Sequence, residues 1–265
     1  MGRTREVLSG IVLAGALLSV TMACAGPRQA PSPATVSPES SRSGGSPAAT
    51  AGAAGVVKVR GALGDHLPLW PFADEAEALS WQEGYASGGH APWHLDPGQT
   101  ALAFVRFLGF GGIDRVTGRR VQGEDAHISV GYRSPESGEG GTAAVVHLIR
   151  IGPPENAPWE VVGTDDTDLS VTRPAYGATA SSPVTVGGRI TGVDESIRVA
   201  IRQRSAKDPL GRFCCVAAGG TRSPWSARVP FQGATDPVLI VVASTGGHLA
   251  DVERFAVTGF RPSSR

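Results

Sequence analysis

The sequence predicts an α+β domain over 56–175, followed by an all-β sandwich over 176–265. In the first of these segments, two helix-type stretches precede a series of apolar strands, and helices followed by an antiparallel meander are typical of α+β domains. In the second, six or seven short strands separated by turn residues fall within about 90 residues, which is typical of a sandwich. Each segment is long enough to bury its own core.

Two helices are predicted in the first domain. The first covers 74–84, where acidic residues stand at the start and good helix formers follow. The second begins at Asp96 and Pro97, because aspartate caps a helix and proline fits its first turn. It carries an apolar stripe up to Leu108, and Gly109 is expected to end it.

An antiparallel meander is predicted to follow these helices. A short entry strand precedes the helices, and turn-rich residues 134–141 are expected to join the first two meander strands as a hairpin. The predicted strands are 56–60, 126–133, 142–151, 158–163 and 168–172. This element order, with the tryptophan at 159, resembles cone-shaped domains of the cystatin-like or nuclear-transport-factor-like kind.

The second domain is predicted to contain strands only. Ile197, Val199 and Ile201 alternate with arginines, so the apolar side chains are expected to face inward and Arg198 and Arg202 outward. The predicted strands are 182–190, 196–202, 212–217, 225–231, 238–244 and 254–260.

Four short motifs carry a family resemblance. They are the segments SPVTVGG at 182–188, ITGVDESI at 190–197, WSARVPF at 225–231 and STGGH at 244–248. In this order they resemble the immunoglobulin-like domain of bacterial spore-germination proteins, the Gmad type. The resemblance implies an extracytoplasmic sandwich used in binding or assembly, often on lipoproteins, and it implies no catalytic residues.

The N-terminus has the layout of a bacterial lipoprotein export signal. Arg3 and Arg5 precede the apolar run 7–20, Cys24 follows small residues, and a Pro/Ser/Ala/Gly-rich tract runs to residue 55. Residues 1–23 are therefore expected to be a removed signal peptide and 24–55 a disordered linker with a palmitate-type lipid on Cys24. The predicted location is the extracytoplasmic face of the cell membrane. The composition, rich in Arg, Ala, Gly and Pro, suggests a GC-rich genome and therefore an actinobacterial-type lipoprotein.

Two other interpretations of this segment remain open. Thr21 stands where a lipoprotein peptidase prefers a leucine-like residue, so an ordinary signal peptidase could instead cleave near Ala25 and release a secreted protein. Alternatively, 7–25 could stay uncleaved as a short membrane helix.

Charge and cysteine content narrow the classes of function. The formal net charge is +0, which supplies no field for binding a phosphate backbone, so no nucleic-acid partner is expected.

Cys214 and Cys215 are neighbours, and alternation along a strand favours one buried and one outward thiol. A vicinal disulfide and a metal or redox role are the alternatives.

An aromatic set is the best candidate site in the first domain. Its members either pack as core or line a ligand or partner cleft. They are Trp70, Phe72, Trp81 and Trp93.

The chain is predicted to be a non-catalytic, membrane-tethered protein that binds an envelope protein, peptide or wall component. No catalytic residue, metal ligand or cofactor is assigned. One alternative is an envelope metal-dependent hydrolase, and the other is a small-ligand carrier that uses the α+β domain as a cup. The hydrolase would use His90, His94, Asp96 or Asp165. Pro92 argues against a shared helix for the two histidines.

Overall fold

Two helices and two β-sheets make up the described part of the chain. The computed structural model describes residues 63–133, 138 and 140–263. The predicted signal peptide, the linker and the entry strand 56–60 lie outside these residues. So does most of the turn-rich stretch 134–141.

Both predicted helices are confirmed, and the second has both of its predicted caps. Helix α1 is Glu75–Gly88 and helix α2 is Pro97–Leu108, with a 3₁₀ turn at Pro92–Leu95 between them. The Asp74 carboxylate accepts a hydrogen bond from the Glu77 N–H at 2.9 Å, so α1 starts where the acidic residues predicted. Helix α1 continues past its predicted end at 84. Helix α2 ends as predicted, since Gly109 has the left-handed conformation that closes a helix.

The first sheet is an antiparallel meander with strand order β1-β2-β3-β4. Its strands are β1 (Arg115–Gln122), β2 (Asp125–Arg133), β3 (Gly140–Arg150) and β4 (Trp159–Thr164). The last three were predicted. Strand β1 was not, because its arginine-rich sequence lies at the sheet edge and lacks alternation. The predicted strand 168–172 is wrong, since its only bridge is an isolated one at Leu169, and Arg173 makes another just after it.

The second sheet contains five strands in the order β5-β9-β8-β6-β7. They are β5 (Thr179–Ala180), β6 (Val184–Arg202), β7 (Gly211–Val229), β8 (Leu239–Thr245) and β9 (Arg254–Pro262). Strand β5 is parallel to β9 and the other pairs are antiparallel. Four predicted strands merge into β6 and β7, because bulges let each strand bend without ending.

One hydrophobic core joins the two sheets. Phe104 of α2 and Leu148 of β3 belong to the same buried cluster as Val242 of β8 and Phe255 of β9. The described residues on both sides of position 175 belong to one compact unit. A second cluster is centred on the other face of the second sheet and includes Trp225.

The two adjacent cysteines differ from the favoured prediction. Cys214 and Cys215 form a disulfide and both residues are exposed. The peptide bond between them is cis, with their Cα atoms 3.0 Å apart. The prediction of one buried and one outward thiol is therefore wrong, because both residues are bonded and exposed.

Within the described residues, no helix combines the length and the apolar character needed to cross a bilayer.

Candidate functional site

A groove lies between the end of α2 and strands β6, β7 and β8 of the second sheet. Its cavity volume is about 240 Å³. Apolar side chains form most of its wall and three arginines complete it. The lining residues are Leu108, Phe110, Arg198, Val199, Ala200, Arg202, Pro209, Arg212, Phe213, Cys214, Val242 and Ser244.

Arg202 corrects the prediction that the β6 arginines face solvent. Arg198 and Arg202 both line the groove beneath α2, but Arg202 is only 6% exposed. Its Nη2 donates to the carbonyls of Phe107 at 2.9 Å and Lys207 at 2.8 Å. Its guanidinium also stacks on the Phe107 ring, 4.8 Å from the centroid. The strand period was right, but the sequence could not show that α2 covers this face.

The positive charge of the groove is only partly compensated. Burial lowers the pKa of the Arg202 guanidinium, the positive charge of Arg212 lowers it further, and Asp208 partly opposes both. The Nε of Arg202 has no hydrogen-bond partner among the described residues. The described residues that line the groove include three arginines and no acid. An anionic group would offset the charge that the fold leaves buried.

The predicted aromatic residues form one contiguous cluster. Trp70 stacks on Trp93 at 5.3 Å, and Trp93 stacks on His94 at 3.6 Å. Phe72 and Trp81 contact the other side of His94, at 5.0 Å and 4.8 Å. Phe72 is buried and the three tryptophans are half-buried. The predicted residues therefore lie together and pack largely on one another.

His94 is enclosed by this aromatic cluster. It is 6% exposed, and its Nδ1 has no hydrogen-bond partner among the described residues. Burial lowers the pKa of His94 to about 4, so the ring stays neutral at physiological pH. His90 is exposed, and Asp96 caps α2 and pairs with Arg119 at 2.9 Å. The hydrolase alternative drew on these residues, of which His94 is enclosed by aromatic rings and Asp96 is engaged as a helix cap and ion-pair partner.

Asp165, the fourth residue of that alternative, contacts His127 on the first sheet. Its carboxylate lies 2.8 Å from Nδ1 of His127, whose ring is stacked on His147. Asp125 contacts both histidines. Sequence reasoning placed the histidines in separate strands and did not pair them. The available signal was polar residues at alternate positions of β2, which predicts one shared face.

Comparison with known proteins gives no match: no family model, curated protein or solved structure is similar to this chain.

Proposed function

We propose that this chain is a lipid-anchored extracytoplasmic protein that binds a small anionic ligand with an apolar part, without catalysing a reaction. The observation that supports it is the groove beside α2, where an apolar wall meets three arginines. Ligand sites are typically concave and mostly apolar, with a few convergent polar groups that set specificity.

The size of the groove restricts the ligand. Its volume of about 240 Å³ lies below the range of roughly 300–1,000 Å³ that holds drug-sized molecules. A short amphiphile with one carboxylate or sulfonate suits it, with the apolar part against Leu108 and Val242. The anion would lie near Arg198 and Arg212, whose exposed side chains flank the buried Arg202. The small-ligand alternative placed its cup within the α+β domain, whereas this groove also uses the second sheet.

The proposed location rests on Cys24 and its surroundings. A lipid on Cys24 would hold the folded unit near the membrane, on the linker 24–55. The exposed Cys214–Cys215 disulfide supports an oxidising, extracytoplasmic compartment. We further propose that the second sheet belongs to the immunoglobulin-like type suggested by its motifs, and that the first sheet with its helices is cystatin-like.

A protein, peptide or wall partner is the second candidate ligand class. The half-buried Trp70, Trp81 and Trp93 favour it, because aromatic residues that keep part of their surface exposed are enriched at interfaces.

Arginine substitutions test the groove. We expect Arg198→Gln and Arg212→Gln each to weaken binding of the anionic apolar dye anilinonaphthalene sulfonate about tenfold, because each removes one charged hydrogen-bond donor. Ala200→Trp should abolish binding by filling the groove. The measurement is a fluorescence titration of the purified full-length protein, with decanoate as competitor.

Arg228→Gln is the matched control. Arg228 is an exposed arginine on β7 that does not belong to the groove lining. Equal affinities for Arg198→Gln, Arg212→Gln and Arg228→Gln, or full binding by Ala200→Trp, would contradict the proposed ligand site.

A labelling experiment tests the anchor. Cells that express the protein are grown with radioactive palmitate, and we expect label on the wild-type chain and none on Cys24→Ala. The variant should leave the membrane fraction, since the covalent lipid provides the anchor. Cys215→Ala is the control and should keep its label. Label that persists on Cys24→Ala would refute lipidation at this residue.

A further inference from the structure

We propose that Asp125, His127 and His147 form a binding site for one divalent transition-metal ion of the zinc class. This site lies on the first sheet and is independent of the arginine-lined groove. One ligand atom from each residue can be chosen so that all three lie within 4.8 Å of one another.

The strand register brings the three side chains together. Asp125 and His127 are two residues apart on β2, so they point to the same face of the sheet. His127 is the direct cross-strand partner of His147 on β3. Ala126 and Ile128, which stand on either side of His127, point into the core. The three ligands therefore stand on the face opposite the core, held by a rigid strand pair.

Both ring nitrogens of His127 face carboxylates. Its Nε2 lies 2.9 Å from a carboxylate oxygen of Asp125, and its Nδ1 lies 2.8 Å from one of Asp165. A neutral imidazole carries one N–H, so it can donate to one of these carboxylates and turns a lone pair toward the other. A metal ion between His127 Nε2 and Asp125 would accept electron pairs from both, and Nδ1 would keep its N–H for Asp165.

The two imidazole rings reinforce the argument. His127 and His147 are stacked with centroids 4.5 Å apart and planes within 6°. His147 Nε2 lies 2.8 Å from the second oxygen of Asp125. Both Nε2 atoms thus converge on one carboxylate.

Asp165 occupies the position of an outer partner. A metal-binding histidine usually donates its other ring N–H to a carboxylate, which fixes the ring and strengthens the ligand. Asp165 is placed for this role, because its oxygens lie 2.9 Å and 2.8 Å from Nδ1 of His127. His66 packs its ring edge-on against His147 at 5.4 Å and supports that ring.

The donor set selects the class of metal. Two imidazole nitrogens and one carboxylate oxygen suit zinc and its neighbours in the first transition series, whereas calcium and magnesium prefer oxygen ligands alone. Three protein ligands leave a position for water or another ligand.

Zinc titration of the metal-stripped, full-length protein by calorimetry tests the proposal. We expect one Zn²⁺ per chain, with affinity lowered at least ~100-fold in His147→Gln and in Asp125→Asn through loss of a ligand. Asp165→Asn removes only the outer partner and should lower affinity by about 10- to 100-fold. Co²⁺ should give the visible spectrum of a low-symmetry site in wild type and not in His147→Gln or Asp125→Asn.

His90→Gln is the matched control, because His90 is exposed and remote from these strands in sequence. It should bind zinc like wild type, and circular dichroism should show that each variant folds. If His147→Gln does not fold, the smaller decrease in zinc affinity expected for Asp165→Asn still tests the proposal. Absence of stoichiometric binding, or equal affinity in Asp125→Asn, Asp165→Asn and His90→Gln, would show an ordinary ion-pair cluster and overturn the proposal. Failure of zinc binding would leave dye binding in the groove unchanged, so the two proposals can fail separately.

Discussion

Phe255→Ala is expected to lower the free energy of unfolding by about 3–5 kcal/mol, through lost apolar burial and the cavity left behind. Phe255 is 1% exposed, and its ring lies 5.4 Å from that of Phe110 in the cluster that joins the two sheets. A domain is typically stable by only about 5–15 kcal/mol, so this loss is a large fraction of the total.

Urea unfolding followed by tryptophan fluorescence measures the effect. Phe255 lies in the second sheet, whereas four of the five tryptophans precede residue 176. We expect the fluorescence transition to move to lower urea, because the shared core couples the sheets. Val193→Ala is the control, since Val193 is 80% exposed, and should change stability by less than about 0.5 kcal/mol. An unchanged fluorescence transition in Phe255→Ala would show that the two sheets unfold independently.

Glu160→Gln is expected to stabilise the protein increasingly as the pH rises, by about 1–3 kcal/mol at pH 8. Glu160 lies on β4, is fully buried, and accepts a hydrogen bond from the Phe72 N–H at 3.0 Å. Its other oxygen has no hydrogen-bond partner among the described residues. Burial raises the pKa of this carboxyl well above its usual range, and the nearby charge of Glu77 raises it further. Backbone hydrogen bonds from Phe72 and Trp70 and the charge of Arg204 lower the pKa, but they do not outweigh burial.

The raised pKa of Glu160 sets the sign of the pH dependence. Because the folded-state pKa of Glu160 exceeds the unfolded one, the folded protein binds more protons in the window between them. The contribution of Glu160 to stability is therefore greatest below its ordinary pKa and is lost as the pH rises through the folded value. Glutamine does not titrate, so the free energy of unfolding of the variant has no pH-dependent contribution from position 160.

Thermal unfolding of both proteins between pH 4 and pH 8 measures the difference. Carboxyls with lowered pKa values, such as Asp96 and Glu253, act in the opposite sense at acid pH but are common to both proteins and cancel. Glu83→Gln is the control, because Glu83 is exposed on α1. A stability difference between Glu160→Gln and wild type that stays constant with pH would contradict a buried, raised-pKa carboxyl.

Local signals predicted local structure well. Helix α2 was predicted from Asp96, Pro97 and Gly109, since caps act within one turn and need no tertiary context. The inward alternation of Ile197, Val199 and Ile201 was also right. The period of a strand reports which residues share a face.

What covers each face could not be read from the sequence. Arg202 is buried because α2 lies over it, a contact between residues 95 positions apart. The same limit applies to the metal-binding candidate, whose members meet only through strand register. His127 and His147 are 20 residues apart in sequence, and the pairing of β2 with β3 places them opposite each other.

Strand β7 has a consequence for self-association. It is 19 residues long and ends the strand order of its sheet, with β6 as its neighbour in the described part of the chain. An open edge of that length is a template for a strand from another copy. Pro224 lacks an N–H for such pairing, and exposed Arg212, Arg222 and Arg228 would bring like charges together. The edge is thus built to keep neighbouring copies apart, so each molecule is expected to act singly.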